Sequence, residues 1–328
     1  MLTTLEPCRP ELKPPNASLV HRIFLSAQGV RAGWSLSLFL VLYSLLTLGA
    51  QFSFVVVPAL RAWAASQPRG VITATGQIAF TGLELLILFV SVFIVSRVER
   101  RSFRDYGLSL AGMPGKRFLL GLVFGFGMAS LLTGLIAVSG GYSVNGLAIG
   151  TSEMARNALL YGIGFLIVGV FEEFAFRGFM QATLQRGIGF WPAAVILGLA
   201  FGAVHLPNLG GAWIAAVLAA CFGIVAALSL RRTGTLWFII GLHAAFDWSN
   251  TFFYSSPITG LTARGHLMNA SLHGPGWLTG GNAGPVGSVF AFVVVALAGV
   301  LIHFIFPGPH NLDEPNIGVT LPAHRIEV

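Results

Sequence analysis

Eight apolar runs, most close to the ~20 residues that a helix needs to cross a bilayer, follow one another through this 328-residue chain and leave few folds open to it. They predict helices over about 34–60, 72–95, 118–138, 155–184, 191–205, 212–230, 236–254 and 286–306. Only 9% of the residues are charged and 55% are hydrophobic, whereas a soluble domain carries about 25% charged residues. The expectation is an all-α polytopic membrane bundle of about eight transmembrane helices. One unit spans 34–306, with a cytoplasmic N-terminal tail over 1–33 and a polar, Pro-rich tail over 307–328. A net charge of +7 and a pI of about 10.1 would suggest nucleic acid for a soluble protein. Here most Lys and Arg fall on the side of the two termini, above all between Arg97 and Arg117. That asymmetry predicts both termini in the cytoplasm and no nucleic-acid partner. No short apolar h-region stands near the start, so no cleavable signal peptide is expected. Cys8 has no apolar segment before it, and Cys221 lies in an apolar run. Two cysteines give neither a disulfide framework nor a thiol metal cluster.

Within the fourth run stands Phe171-Glu172-Glu173-Phe174-Ala175-Phe176-Arg177. An ionised carboxylate at bilayer depth costs a few kcal/mol, so it stays where it has a partner or a task. On a helix Glu173 and Arg177 are i,i+4 neighbours and can pair, while Glu172 points about 100° away. One acid is thus assigned to structure and the other to chemistry. Two further polar sets lie inside apolar runs: Phe201-Gly-Ala-Val-His205 and His243-Ala-Ala-Phe-Asp247, the latter with its ends on one helical face. The fourth and fifth runs form a hairpin expected to turn near Gly187, which places Glu172 and His205 at about 22–26 Å from the turn along their helices. His243 reaches a similar depth if the hairpin protrudes by a turn or two. The polar residues Gln181, Thr183, Gln185 and Arg186 are read as that protrusion. An acid and two imidazoles at one level describe a pocket suited to general acid–base hydrolysis. A His₂Glu metal site from Glu172, His205 and His243 is the competing reading, with a divalent ion such as zinc as cofactor; no HExxH is present, and the preferred reading has no cofactor. Glu84, a further acid inside the second run, is read as hydrogen-bonded to a neighbouring helix. Gly121 and Gly125 permit close helix packing.

Glu172-Glu173-x-x-x-Arg177, Phe201-x-x-x-His205 and His243-x-x-x-Asp247, in this order on separate runs, resemble the CPBP family. It contains the type II CAAX prenyl endopeptidases and the bacterial Abi or bacteriocin-processing proteins. The resemblance covers about 97–254 and extends to Arg104-Asp105-Tyr106-Gly107-Leu108. It implies a glutamate-dependent intramembrane endopeptidase acting on a membrane-associated or lipid-anchored, CAAX-like substrate in a bacterial cytoplasmic membrane. By that resemblance Glu172 activates a water and His205 positions it. His243 and Asp247 stabilise the oxyanion, and Glu173, Arg177 and Phe201 support them. The family's last motif position is Asn in the prenyl-protein proteases and Asn or Asp in bacterial members. An ionised Asp247 cannot donate to an oxyanion, so it is either protonated or orients His243. Two other classes compete: a non-enzymatic immunity or regulatory protein, and a proton-relaying transporter, although no internal repeat of the transporter kind is visible.

Overall fold

The computed structural model describes residues 23–26, 29–109, 115–206, 213–257, 260–306 and 308. The expected N-terminal tail up to Arg22 with Cys8, the turn carrying Pro207, Gly210 and Gly211, and the tail from Pro309 onward lie outside the described residues. Long helices stand where the apolar runs predict them. Helix α1 is Ala32–Val56 and α2 is Pro58–Ala65. The expected single run over 34–60 is broken because a residue before proline is pushed out of the helical region. Val57 is extended (φ −88°, ψ 112°), and Pro58 starts the next helix, where its missing N–H costs nothing. Helix α3, Ala74–Glu99, is capped by Thr73, whose hydroxyl accepts from the Gly76 amide at 3.1 Å, and ends at Arg100 in the left-handed region. Helix α4 is Lys116–Val138. Helix α5, Thr151–Glu173, continues through a π-helical stretch, Phe174–Met180, into α6, Gln181–Ile188. Helix α7 is Phe190–His205, α8 is Trp213–Thr233, and α9 is Trp237–Trp248 with a π-helical extension, Ser249–Phe253. Helix α10 is Val289–Ile305.

Five of these helical stretches are long and apolar enough to cross a membrane: Ala32–Val56, Ala74–Glu99, Lys116–Val138, Thr151–Ile188 and Trp213–Thr233. Phe190–His205 and Val289–Ile305 are shorter apolar helices. The chain is therefore an all-α polytopic membrane bundle, and its outward apolar side chains, such as Val41, Leu45, Phe52 and Val55 on α1, suit contact with lipid.

Small residues set the tightest contacts. A Cβ added at Gly121 would lie 2.1 Å from the Phe238 carbonyl oxygen, and one at Gly125 would lie 2.1 Å from that of Leu242. Gly241 meets the Phe118 carbonyl in return, at 2.5 Å. Helices α4 and α9 thus touch backbone to backbone through Gly121 and Gly125, as the spacing predicts. Gly202 of α7 approaches the Ala216 carbonyl of α8 in the same way, at 2.4 Å.

Four features differ from the expectations. The hairpin between α6 and α7 turns at Gly189 (φ +84°), near the expected Gly187 but two residues further on. Gln181, Thr183 and Gln185 are buried rather than protruding; Gln181 donates to the Phe190 carbonyl at 3.0 Å, across the turn. The connections after α4 and α9, read as loops, pair with each other. Strand β1, Tyr142–Leu147, runs antiparallel to β2, Met268–Leu272, in the register Tyr142↔Leu272 to Leu147↔Met268. Tyr142 fastens this small sheet by donating to the Tyr254 carbonyl at 2.8 Å. Glu84 is exposed on α3 and makes no hydrogen bond among the described residues, contrary to its expected pairing.

Candidate active site

Three helices bring the polar sets together. Glu172 and Glu173 close α5, His205 closes α7, and His243 and Asp247 lie on α9. Gly169 lets α5 approach α9, since its Cβ position is 3.0 Å from the Ile240 carbonyl. Glu172 Oε2 lies 3.7 Å from His243 Nε2 and 3.9 Å from His205 Nε2. These separations are too long for direct hydrogen bonds and short enough for one water to touch all three groups. That oxygen is buried and takes no hydrogen bond from the protein.

Each imidazole is held by its other nitrogen. His205 Nδ1 is 2.7 Å from the Phe201 carbonyl oxygen one turn back. A carbonyl only accepts, so Nδ1 carries a proton and donates it there, which turns Nε2 toward Glu172. His243 Nδ1 is 2.7 Å from Glu173 Oε1, so it donates to that carboxylate. Its Nε2 faces Glu172 and lies 3.5 Å from Asp247 Oδ2. Asp247 therefore stands beside the cavity-facing nitrogen, and the carboxylate that fixes the ring is Glu173.

Glu173 is fully buried and also pairs with Arg177, Nη1 to Oε2 at 3.3 Å, as the i,i+4 spacing predicts. The Arg177 guanidinium lies 4.1 Å from the Phe201 ring centre, inside cation–π range. Gly223 makes room for it, since a Cβ there would sit 2.8 Å from Arg177 Nη2. Phe201 thereby serves two neighbours, its ring under Arg177 and its carbonyl on His205. The π-helical stretch begins at the residue after Glu173; such wide turns recur at functional sites and shift the side chains that follow.

Beside the imidazoles lies a cavity of about 80 Å³. His205, His243 and Asp247 belong to its lining, which is otherwise apolar and includes Met128, Leu218 and Phe246. The site thus joins a polar cluster able to polarise a water with an apolar recess able to take a side chain. Among the described residues no group of three His, Cys, Asp or Glu side chains is arranged to hold a metal ion. Among the described residues Glu84 makes no hydrogen bond to the cluster, and Trp237 and Trp248 serve packing, donating to the carbonyls of Ser109 and Ala158 at 2.8 and 3.0 Å.

Neither the curated proteins nor the solved structures contain a match to the chain. Residues 154–249 match a family model described as Type II CAAX prenyl endopeptidase Rce1-like. The matched stretch begins in α5, ends just past α9 and contains all three polar sets. It supports a CAAX-type intramembrane protease with a membrane-associated protein or peptide as substrate. It is the same family that the ordered motifs of residues 172–247 resemble.

Proposed function

We propose that the chain is an intramembrane endopeptidase in which Glu172 activates a water against a peptide bond of a membrane-associated, lipid-anchored substrate. The observation that carries this reading is the convergence of Glu172 Oε2 with the Nε2 atoms of His205 and His243 at 3.7–3.9 Å. A water among them donates one hydrogen to Glu172 and one to His205 Nε2. Its oxygen lone pair attacks the scissile carbonyl as Glu172 takes the first proton, giving a tetrahedral oxyanion and a carboxylic acid. His243 with both nitrogens protonated donates from Nε2 to that oxyanion, with Glu173 supplying the counter-charge at Nδ1. Glu172 then returns its proton to the leaving amine, so the water's atoms end on the new carboxylate and the new amine. The apolar recess holds an aliphatic residue next to the scissile bond. Asp247, Glu173, Arg177 and Phe201 support the two imidazoles, and the reaction so written runs without a cofactor. Both termini are assigned to the cytoplasm of a bacterial cell, on the basic side of the bundle.

The test uses the full chain in nanodiscs with a membrane-anchored fluorogenic peptide of CAAX-like sequence. Glu172→Gln keeps the shape but cannot accept a proton, and it should lower kcat by about 10²–10⁴-fold. Wild-type turnover in that variant removes Glu172 from the mechanism. Loss of activity with chelator, restored by added zinc, replaces the water-only mechanism by the His₂Glu one.

A further inference from the structure

Helices α3 and α5 run side by side in the same direction. A Cβ at Gly164 of α5 would lie 3.0 Å from Gln77 Cγ of α3, and further along, the rings of Phe89 on α3 and Phe174 just past α5 meet with centres 5.3 Å apart. Glu84 falls between these two contacts. It stands two helical turns beyond Gln77, hence on the same face of α3, and level with Phe171 and Glu172, which stand two turns beyond Gly164. The carboxylates of Glu84 and Glu172 are near enough for their charges to act on each other. From α1 the Tyr43 hydroxyl comes within the same reach of Glu84. The Tyr43 ring is stacked on Phe39, with centres 5.8 Å apart.

Glu84 is exposed, yet it lies ~15 Å along α3 from Ala74 and ~22 Å from Glu99, too far from either end for a short side chain to bring its charge to the membrane surface. A carboxylate at such depth stays where it has a partner or a task, and when ionised it only accepts hydrogen bonds. Neither Glu172 nor Tyr43 is a cation, and among the described residues Glu84 has no ion-pair partner. The group it lacks is a cation from outside the chain, for which the Tyr43 ring offers a second, aromatic contact. The apolar recess is built from other elements, α4, α7, α8, α9, α10 and Val286. Glu172 is thus flanked by the imidazoles that line the recess and, from α3, by Glu84. We propose that Glu84, with Tyr43, selects substrates carrying a lysine or arginine near the scissile bond, binding that basic side chain while the recess holds the aliphatic one. This specificity rests on the endopeptidase reading given above.

The experiment uses the full chain in nanodiscs and a panel of membrane-anchored fluorogenic peptides in which one residue at a time, on either side of the scissile bond, is Lys, Gln or Glu. At one position wild type should cleave the Lys peptide with a kcat/KM about tenfold above that of the Gln peptide, and the Glu peptide about tenfold below it, the worth of one hydrogen bond to a charged group. Glu84→Gln should level the three peptides, and Glu84→Lys should reverse their order. Wild-type helicity and monodisperse elution show that the variants fold, and the ranking by wild type tests the proposal without them. The same ranking should appear in the binding of uncleaved peptides to Glu172→Gln, read by fluorescence anisotropy, where no turnover is needed. Equal kcat/KM and equal binding for Lys, Gln and Glu at every position, or a Lys preference that survives Glu84→Lys, overturns the proposal. Absence of cleavage with the binding preference intact overturns the endopeptidase reading alone and leaves the site for a basic side chain standing.

Discussion

Glu173 meets two partners at once, Arg177 one turn on and His243 across the bundle. Removing Arg177 would leave that buried carboxylate short of charge, so Arg177→Ala should destabilise the protein by about 3–5 kcal/mol. It should also lower turnover, because the ring that Glu173 orients loses its fixed partner; thermal unfolding beside kcat measurements checks both. The Glu173–Arg177 pair was legible from spacing alone, and so was the separate direction of Glu172. The contact to His243 was not, since an imidazole that is 70 residues away can be paired with either of two adjacent acids until the helices are placed. The role of Asp247 shows the same limit. Four-residue spacing put it beside His243 but not at a particular nitrogen, and it stands 3.5 Å from Nε2. Asp247→Asn keeps hydrogen-bonding groups at that nitrogen and should retain measurable kcat/KM, whereas Asp247→Ala should fall well below it. Equal loss in the two variants would show that the charge itself is required.

At the scale of elements, helix positions followed from the apolar runs because a bilayer demands about 20 apolar residues in a row and backbone hydrogen bonds closed within the segment. Departures came where tertiary contacts decide the outcome. Gln181, Thr183 and Gln185 look like a solvent-exposed end by composition, yet they are buried. Strands β1 and β2 lie more than 100 residues apart, and short polar segments carry little period by which such a pairing could be found. The Gly121-x-x-x-Gly125 spacing, weak as a motif, became informative once its partner helix was known. Gly125→Leu would drive a side chain into the Leu242 backbone, on the helix that carries His243 four residues before Asp247. It should separate α4 from α9, lower the unfolding temperature sharply and abolish activity. Gly127→Leu, on the same helix but with open space at its Cβ, should leave stability within about 0.5 kcal/mol of wild type, apart from its helix-propensity gain.

For the molecule as a whole, α1 is attached differently from the helices that form the site. Its buried residues are Ser35 and Phe39, both near its start, and only 6% of its apolar window is buried. There Phe39 packs on Phe179, with ring centres 4.7 Å apart, and the Ser35 hydroxyl donates to Glu99. Glu99, with a side chain only 2% exposed, also binds Arg186 and accepts from the Tyr106 hydroxyl at 3.3 Å. One carboxylate thus ties α1, α3, α6 and the turn before α4 together at the basic end, while the far half of α1 lies against lipid. The polar cluster draws on α5, α7 and α9, and among the described residues none of its hydrogen bonds or ion pairs involves this clasp. Glu99→Gln should therefore leave Arg186 buried without a counter-charge, costing about 3–5 kcal/mol at full burial and less here, where Arg186 is 11% exposed. The loss should be local. Amide exchange in nanodiscs should quicken at the start of α1 and in α6, while α5 and α9 keep wild-type protection and the variant keeps wild-type kcat at low temperature. Uniformly faster exchange across all helices would show instead that the clasp holds the whole bundle, with α1 an integral wall of the site.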